Sequence, residues 1–244
     1  MEREFITKAI CLNSVDYKEK DKQLTLFSLE NGLMSAVLKG CKTAKAKLKF
    51  AFSPFCFAEY SIVQKGNFCT ITNAGLIDSF FDLTSNYDNY ILGSIMLDIT
   101  HSTVKFNEQN LPMFVGLLNH LKSICYENIN AKMVCIKFVL LALENLGYKP
   151  TFKSCHRCGM PFNQDKYLDM SCGEFVCQNC KNMSCEKLTN AGFSGVKILS
   201  DTPLDRLASV KLSNQILDEI LTILLENFEC RVEHKLPSRK LLSV

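Results

Sequence analysis

The sequence predicts a multidomain α+β protein in which a small β-barrel precedes a helical domain. Five short β-runs fill the first 78 residues, and the apolar pattern changes to a helical period after Thr84. Two C-x-x-C pairs interrupt the helical part. We therefore expect a β-domain at 1–79, a helical domain at 80–244, and a cysteine-rich insertion at about 151–187.

The β-domain is predicted from runs at 5–12, 23–29, 33–39, 55–63 and 67–77. Asn31-Gly32 and Lys65-Gly66-Asn67 are turn signals between runs, because Gly and Asn accept the positive φ of tight hairpins. Alternating phenylalanines in and beside the fourth run suit a barrel interior, although bases could also stack on them: Phe50, Phe52, Phe55 and Phe57.

Four helical patterns follow the β-runs. The first carries Tyr87, Tyr90, Ile91, Ile95 and Ile99 on one face. Two more cover 111–126 and 131–146, and the latter ends at a glycine shortly before a proline. A serine at 213 could cap a helix whose apolar stripe spans 216–228, and the segment 202–205, Thr-Pro-Leu-Asp, resembles another helix start.

Composition bounds the partners and the compartment. The net charge of +3 arises from 28 basic and 25 acidic residues, so the whole-chain balance does not indicate a nucleic-acid partner. The first residues lack a secretory pattern, and the longest apolar stretch is far shorter than the roughly 20 residues that cross a bilayer. We expect a cytoplasmic protein without membrane contact, whose 13 cysteines serve as buried thiols and metal ligands.

The two cysteine pairs, Cys155-His156-Arg157-Cys158 and Cys177-Gln178-Asn179-Cys180, have zinc-ribbon spacing, with 18 residues between the inner cysteines. Each pair can close a tight knuckle that points two thiolates at one ion, and Gly159 supplies free φ after the first. Because the protein fills all four positions, the predicted Zn²⁺, one per chain, is structural.

Other readings of the cysteines remain open at this stage. Cys172 or Cys185 could replace a ligand, and His156 could bind through its ring. A redox C-x-x-C in a thiol oxidoreductase is a further alternative, although such motifs usually adjoin a βαβ unit. That enzyme would show titratable thiols at neutral pH and no bound metal.

A basic run lies between the third and fourth β-runs, with five lysines in 11 residues and no acid: Lys39, Lys42, Lys45, Lys47 and Lys49. Such a loop can contact the DNA backbone, because each lysine that neutralises a phosphate releases counterions without reading sequence. A solvated lysine loop is the competing interpretation.

Signals for enzymatic chemistry are missing from the sequence. It holds no G-x-x-x-x-G-K-[ST] phosphate loop and no G-x-G-x-x-G turn, so ATP-driven work is not expected. The four histidines are scattered, and none stands in a catalytic context. We therefore expect a binding protein and no catalytic residues.

Several separated segments together resemble the bacterial recombination mediator family RecO. They are Gly32-Leu33-Met34, Lys39-Gly40-Cys41-Lys42, Phe52-Ser53-Pro54-Phe55, the entry Leu146-Gly147-Tyr148-Lys149-Pro150 into the cysteine module, and the tail Lys235-Leu236-Pro237-Ser238-Arg239-Lys240-Leu241-Leu242. Their shared order over nearly the whole chain is more specific than any one segment. Where the family often has arginines in the basic loop, this chain has Lys42, Lys45 and Lys47, which lose bidentate phosphate contacts.

The resemblance implies an N-terminal OB-fold barrel and a helical domain with an inserted zinc ribbon, although some members of the family lack the cysteines, so the four ligands here rest on their own spacing. It implies binding of single- and double-stranded DNA, annealing of complementary strands, and loading of RecA with RecR onto strands coated by single-stranded DNA-binding protein (SSB). It also implies a bacterial, nucleoid-associated location. Arg239 and Lys240 could extend the DNA path or form a solvated tail.

A protein-interaction scaffold is the alternative function. In that reading the zinc module and helical grooves bind partners of the RecR and SSB type, including the acidic, hydrophobic SSB tail. The barrel would then be structural, with little direct DNA handling. Charge reversal of Lys42, Lys45 and Lys47 separates the two, because only direct binding depends on those lysines.

Overall fold

A computed structural model describes residues 2–127, 129–163 and 165–243. Its N-terminal strands are β1 (Glu2–Tyr17), β2 (Asp21–Ser28), β3 (Gly32–Leu38), β4 (Phe57–Lys65) and β5 (Phe68–Asp78). They close a barrel in the order β1-β2-β3-β5-β4, in which β3 and β5 are parallel and the other pairs antiparallel. A five-stranded Greek-key barrel of this order is an OB-fold, so the predicted fold class is confirmed.

The inner face of the barrel forms its own small core. Leu24, Leu26 and Ile62 are buried there together with Tyr60. The Tyr60 hydroxyl donates a hydrogen bond of 2.9 Å to the carbonyl oxygen of Ala51, which satisfies its one polar atom inside an apolar interior. This bond also fixes the short 3-10 helix Lys49–Phe52 across the barrel end.

One row of outward-facing barrel side chains is buried against the helices. Ile10, Phe27, Leu33 and Phe57 belong to the main helical core instead of the barrel core. The Phe27 ring meets Phe114 edge to face at 5.3 Å between centroids. The barrel and helices therefore share one continuous hydrophobic core, although the last barrel strand ends at residue 78 and the first helix begins at residue 81. The division into two separate domains between residues 79 and 80 stays a prediction.

The helices are α1 (Phe81–Ser85), α2 (Tyr87–Thr103), α3 (Leu111–Tyr126), α4 (Ala131–Asn145), α5 (Asn190–Asp201) and α6 (Asn214–Val232). Side chains that accept a hydrogen bond from the first turn cap five of them: Asn86, Asn110, Asn130, Thr189 and Ser213. The four helical patterns at 87–99, 111–126, 131–146 and 213–228 are thus confirmed. No helix in the described ranges is long and apolar enough to cross a membrane.

The cysteine module contains three short antiparallel strands, β6 (Lys166–Asp169), β7 (Glu174–Cys177) and β8 (Cys185–Leu188), in the order β7-β6-β8. The sequence did not predict these strands, because four residues are too few for an alternation to stand out. Their limits lie within and just beyond the expected insertion, whose boundaries at about 151 and 187 stay a prediction.

The fourth strand begins later than predicted. Phe50 and Phe52 lie in the 3-10 helix, and Phe55 has a positive φ of 71° before β4 starts at Phe57. The Phe55 amide donates to the Cys11 carbonyl at 3.0 Å, which turns this segment across β1. Phe55 and Phe57 are buried as expected, but they pack into the helical core and not into the barrel interior.

The predicted helix start at Thr202 is wrong. Thr202 follows α5, and its hydroxyl donates to the Ile198 carbonyl at 2.7 Å, so it closes that helix. Pro203 then precedes a 3-10 helix, Leu204–Ser209. A proline is tolerated both at a helix start and just after a helix end, so the four letters alone favour neither.

Gly32 connects the barrel to the helices. It has φ +65°, and an added Cβ would lie 1.9 Å from the Glu108 carbonyl oxygen. Next to it, the Leu33 amide donates to the Lys105 carbonyl at 3.2 Å, and the Asn107 amide donates to the Leu33 carbonyl at 3.0 Å. The connection between α2 and α3 thus lies directly on the β2–β3 turn, which leaves no room for a side chain.

We predict that Gly32→Ala destabilises the protein more than Gly40→Ala. Both glycines have nearly the same positive φ, but nothing lies within 4 Å of a Cβ at Gly40. The backbone penalty of about 1–2 kcal/mol is shared, and the clash at Gly32 adds about 1–3 kcal/mol. Denaturant unfolding of both variants measures the difference, and equal losses would contradict a tight contact at Gly32.

Candidate nucleic-acid interface and metal centre

The basic run occupies the connection between β3 and β4, which covers residues 39–56. All five of its lysines are exposed to solvent: Lys39, Lys42, Lys45, Lys47 and Lys49. Within the described residues, only Lys42 has a carboxylate in ion-pair range, so the other four ammonium groups are available to an anionic ligand. We call residues 39–49 the basic loop.

The basic loop is anchored on the β1–β2 hairpin. The Gly40 amide donates to the Asp21 carboxylate at 2.8 Å, and the Lys42 amide donates to the Lys20 carbonyl at 3.1 Å. The Lys42 ammonium lies 2.8 Å from Asp16, and Lys22 lies 3.0 Å from it. These two cations hold the pKa of Asp16 below its usual range. The start of the loop therefore has a fixed position.

Three lysines that the sequence reasoning missed lie beside the basic loop, on the β1–β2 hairpin: Lys18, Lys20 and Lys22. Their signal was masked because Asp16, Glu19 and Asp21 alternate with them. The Lys22 ammonium also lies 5.1 Å from the centroid of the Phe52 ring. In an OB-fold the β1–β2 loop is one of the loops that contact oligonucleotides, so the hairpin enlarges the candidate surface.

The C-terminal cations are placed differently. Arg239 is only 21% exposed, and its guanidinium pairs with Glu229 at 2.6 Å and with Glu226 at 2.7 Å. Burial opposes ionisation of Glu229, but Lys235, the Leu236 amide and Arg239 outweigh it and lower its pKa. Lys240 is exposed. DNA contacts for Arg239 and Lys240 stay a prediction, and the Arg239 charge already has partners within the protein.

Four cysteines are positioned to bind a metal ion: Cys155, Cys158, Cys177 and Cys180. Their sulfur atoms all lie within 4.8 Å of one another, and those of Cys158 and Cys177 are 3.9 Å apart. Thiolates around one tetrahedral ion at about 2.3 Å would lie about 3.8 Å from each other. The donor set and its spacing therefore fit a four-sulfur site.

Local backbone geometry places the sulfur atoms. Gly159 adopts φ 72°, and its amide donates to the Cys155 carbonyl at 2.8 Å, which closes the first knuckle. Cys177 ends β7, and a 3-10 turn brings Cys180 back. Burial raises the thiol pKa of Cys155, but backbone amides directed at its sulfur, including that of Cys177 at 3.3 Å, outweigh it and lower the pKa to about 6. The lowered pKa favours the thiolate form of Cys155, which is the form that binds metal ions.

Arg157 joins the first knuckle to the second knuckle and to β6. The Arg157 guanidinium donates to Asp169 on β6 at 2.5 Å and to the Cys180 carbonyl at 3.1 Å. Asp169 is buried and also accepts from Ser171 and Ser184. Burial disfavours its charge, yet these hydrogen bonds hold the pKa of Asp169 well below its usual range. Arg157 can therefore orient both knuckles through a backbone carbonyl and a carboxylate, without a hydrogen bond to a sulfur atom.

The alternative ligands lie outside this cluster. Among the described residues, the group within ligand distance contains neither Cys172, Cys185 nor His156. The Cys185 thiol donates instead to the Asn182 side-chain oxygen at 3.0 Å.

A pocket of about 760 Å³ lies between the cysteine module, α5 and the following 3-10 helix. Its apolar lining comes from Phe152, Phe162, Phe193 and Ile198. Its basic lining comes from Lys153, Lys166, Lys197 and Arg206, and Asp201 contributes an acid. An apolar pocket with several cations suits a ligand that combines large apolar and acidic groups. We call it the basic pocket.

Comparison with known proteins gives consistent matches over almost the whole chain. The model of the recombination protein O N-terminal domain matches residues 1–80, and that of the C-terminal domain matches residues 84–240. A Clostridium novyi protein named DNA repair protein RecO is 28% identical over 220 residues, which are 90% of this chain and 86% of that protein. The Thermoanaerobacter protein of the same name is 26% identical over 239 residues, 97% and 96% of the two chains.

We predict that Arg157→Met weakens metal retention by about 10-fold to 100-fold, the usual effect of losing a group that orients metal ligands. Arg157→Lys should weaken it less, since it keeps the charge but cannot reach both partners. Lys187→Met is the control, because Lys187 pairs with Asp165 on the same module, and within the described residues no side-chain hydrogen bond or ion pair joins it to a knuckle. Competition with a chromophoric chelator measures all three, and equal retention by Arg157→Met and the control would contradict the orienting role.

Proposed function

Because this chain belongs to the recombination protein O family of DNA repair proteins, we propose that it binds single- and double-stranded DNA through its barrel and anneals complementary strands. The observation that carries the proposal is the basic loop, with four lysines that have no carboxylate in ion-pair range within the described residues. Lysines placed along a DNA backbone release counterions, which gives affinity independent of sequence. They also reduce the repulsion between two strands held on one surface.

The partners follow from the same family. We propose that the chain acts with RecR to load RecA onto single strands coated by SSB, in the cytoplasm and at the nucleoid. Nothing in this activity requires covalent chemistry by the chain itself. Binding, neutralisation and alignment of strands are sufficient, so we propose no catalytic residues.

The basic pocket is our proposed site for the acidic, hydrophobic tail of SSB. Its phenylalanines offer apolar surface to the hydrophobic end of such a tail, and Lys197 and Arg206 are exposed beside it. This adds a scaffold function to the DNA-binding function, on a different part of the molecule. The specific observation that favours it is the combination of apolar and cationic lining.

The proposed metal is one structural Zn²⁺ per chain, held by Cys155, Cys158, Cys177 and Cys180. Four thiolates in a closed tetrahedral set are characteristic of structural zinc. When bound, the ion would neutralise the mutual repulsion of the thiolates and cross-link the two knuckles. Because four cysteines fill the coordination sphere, no coordination position is left for water or substrate, which agrees with a structural role for the metal.

We predict that the charge reversal Lys45→Glu with Lys47→Glu lowers the affinity for DNA and makes that affinity less dependent on salt. These two lysines are chosen because Lys42 is paired with Asp16, so its reversal would also disturb the loop. If each contacts one phosphate, the slope of log K against log salt for single strands should fall by about 1.4. Fluorescence anisotropy of a labelled oligonucleotide across a salt series measures this.

The matched control is Lys197→Glu with Arg206→Glu, which changes the net charge equally but lies in the basic pocket. It should bind DNA like the unaltered protein. No binding by the folded, metal-loaded unaltered protein at low salt would refute direct DNA handling and leave the scaffold function.

We predict the reverse pattern for an acidic, hydrophobic peptide that mimics the SSB tail. Lys197→Glu with Arg206→Glu should weaken its binding at least about 10-fold, because two like charges would replace two attractive ones. Lys45→Glu with Lys47→Glu should leave it unchanged. Titration calorimetry checks both variants, and equal losses would show that only net charge matters and that the basic pocket is not the site.

A further inference from the structure

Part of the outer surface of the barrel is not covered by the helices. Its side chains lie on β2, β3 and β5, on the outward side of the pleat, and are Gln23, Thr25, Ser35, Val37, Thr70 and Phe68. Gln23 donates to the Ser35 hydroxyl at 2.7 Å across the β2–β3 pair, and Val37 pairs with Thr70 across the parallel β3–β5 pair. The six residues therefore form one continuous patch, which we call the open face.

Phe68 is the outstanding member of the open face. It begins β5 directly after the Lys65-Gly66-Asn67 turn and is 73% exposed, more than any other phenylalanine or tyrosine in the described part of the chain. The other five residues of the face are half-buried. Leaving most of a phenyl ring in water forgoes a large part of the roughly 1.5–3 kcal/mol that full burial would give, so the ring is available to contact a ligand.

Charge distinguishes the open face from the rest of the barrel surface. None of its six residues is charged, whereas the outward row of β1 and β4 carries Glu2, Glu4 and Glu59 together with Lys8 and Lys65. The basic loop starts where β3 leaves the open face, and the lysines of the β1–β2 hairpin lie at the start of β2, where Lys22 pairs with Leu38. The lysines therefore adjoin one end of the open face.

We infer that Phe68 stacks on an unpaired base of single-stranded DNA whose backbone lies on the basic loop and the β1–β2 hairpin. Bases in a duplex present only their edges, so Phe68 cannot stack on them, whereas every unpaired base has a free face. The lysines therefore serve both forms of DNA, and Phe68 adds affinity for single strands alone. This inference rests on the proposed function and assigns the residue that distinguishes the two ligands.

The first test compares Phe68→Ala with the unaltered protein on a labelled oligothymidylate and on a duplex. Loss of one stacked base should weaken single-strand binding by at least about 5-fold, with no change in the salt slope. Duplex binding should stay the same. A loss on both ligands, or a changed slope, would overturn the stacking role and indicate a general effect on the barrel.

The second test uses the absence of tryptophan from the sequence. Phe68→Trp should bind single strands at least as well as the unaltered protein, and its single indole should be quenched by oligothymidylate and not by duplex. Phe81→Trp is the control, since Phe81 is 69% exposed but follows the far end of β5. Quenching at Phe81 and not at Phe68 would refute the assignment.

These tests also separate this inference from the proposed function. If Lys45→Glu with Lys47→Glu loses DNA while Phe68→Ala binds single strands normally, the DNA-binding function stands and the stacking role fails. If the unaltered protein binds neither DNA form, the proposed function itself fails. If Phe68→Ala instead loses binding to RecR, the open face is a protein contact and the inference is refuted.

Discussion

The burial of one outward row of barrel side chains against the helices sets the arrangement of the rest of the molecule. Four side chains are buried against the helices, namely Ile10, Phe27, Leu33 and Phe57. The burial of each side chain of this size contributes about 1.5–3 kcal/mol to the stability of the fold. Since side chains alternate along a strand, the same strands still fill the barrel interior with their other residues. A barrel attached in this way has its orientation to the helices fixed by its own pleat, and Gly32 keeps the turn at the contact thin enough to fit.

This attachment also decides which part of the barrel can meet a ligand. The helices cover the end of β2 and the start of β3, so the opposite part of those strands, with the basic loop beyond it, stays in solvent. The carboxylates near the lysines are used locally: Asp16 holds Lys42 and Lys22, and Asp21 binds the Gly40 amide. A modest net charge of +3 is therefore compatible with a strongly basic region, because most of the acids lie elsewhere or are already paired.

The sequence predicted those features that a local pattern encodes. Barrel, helices and cysteine knuckles follow from period, turn glycines and ligand spacing, and Ser213 and Gly159 adopt their expected roles. The errors arise where the decisive contact is distant. Phe55 alternates as a strand residue would, but the core that buries it belongs to α2 and its neighbours. In the sequence Arg239 has no neighbouring acid, but in the structure α6 places Glu226 and Glu229 beside it. Lys18 and Lys20 join the basic loop only because the barrel brings the two loops together.

The cysteine module shows why a metal would be needed beside so large a core. Its three strands are too short to bury both faces by themselves. One face, with Leu168 and Phe175, packs into the helical core, while the buried apolar cluster described on the other is small: Cys155, Tyr167 and Val176. A cross-link between the knuckles would stabilise this second face, where little apolar area is available. Because the module also supplies Phe152 and Phe162 to the basic pocket, the metal would support that pocket, whereas the basic loop is anchored on the barrel and would not depend on it.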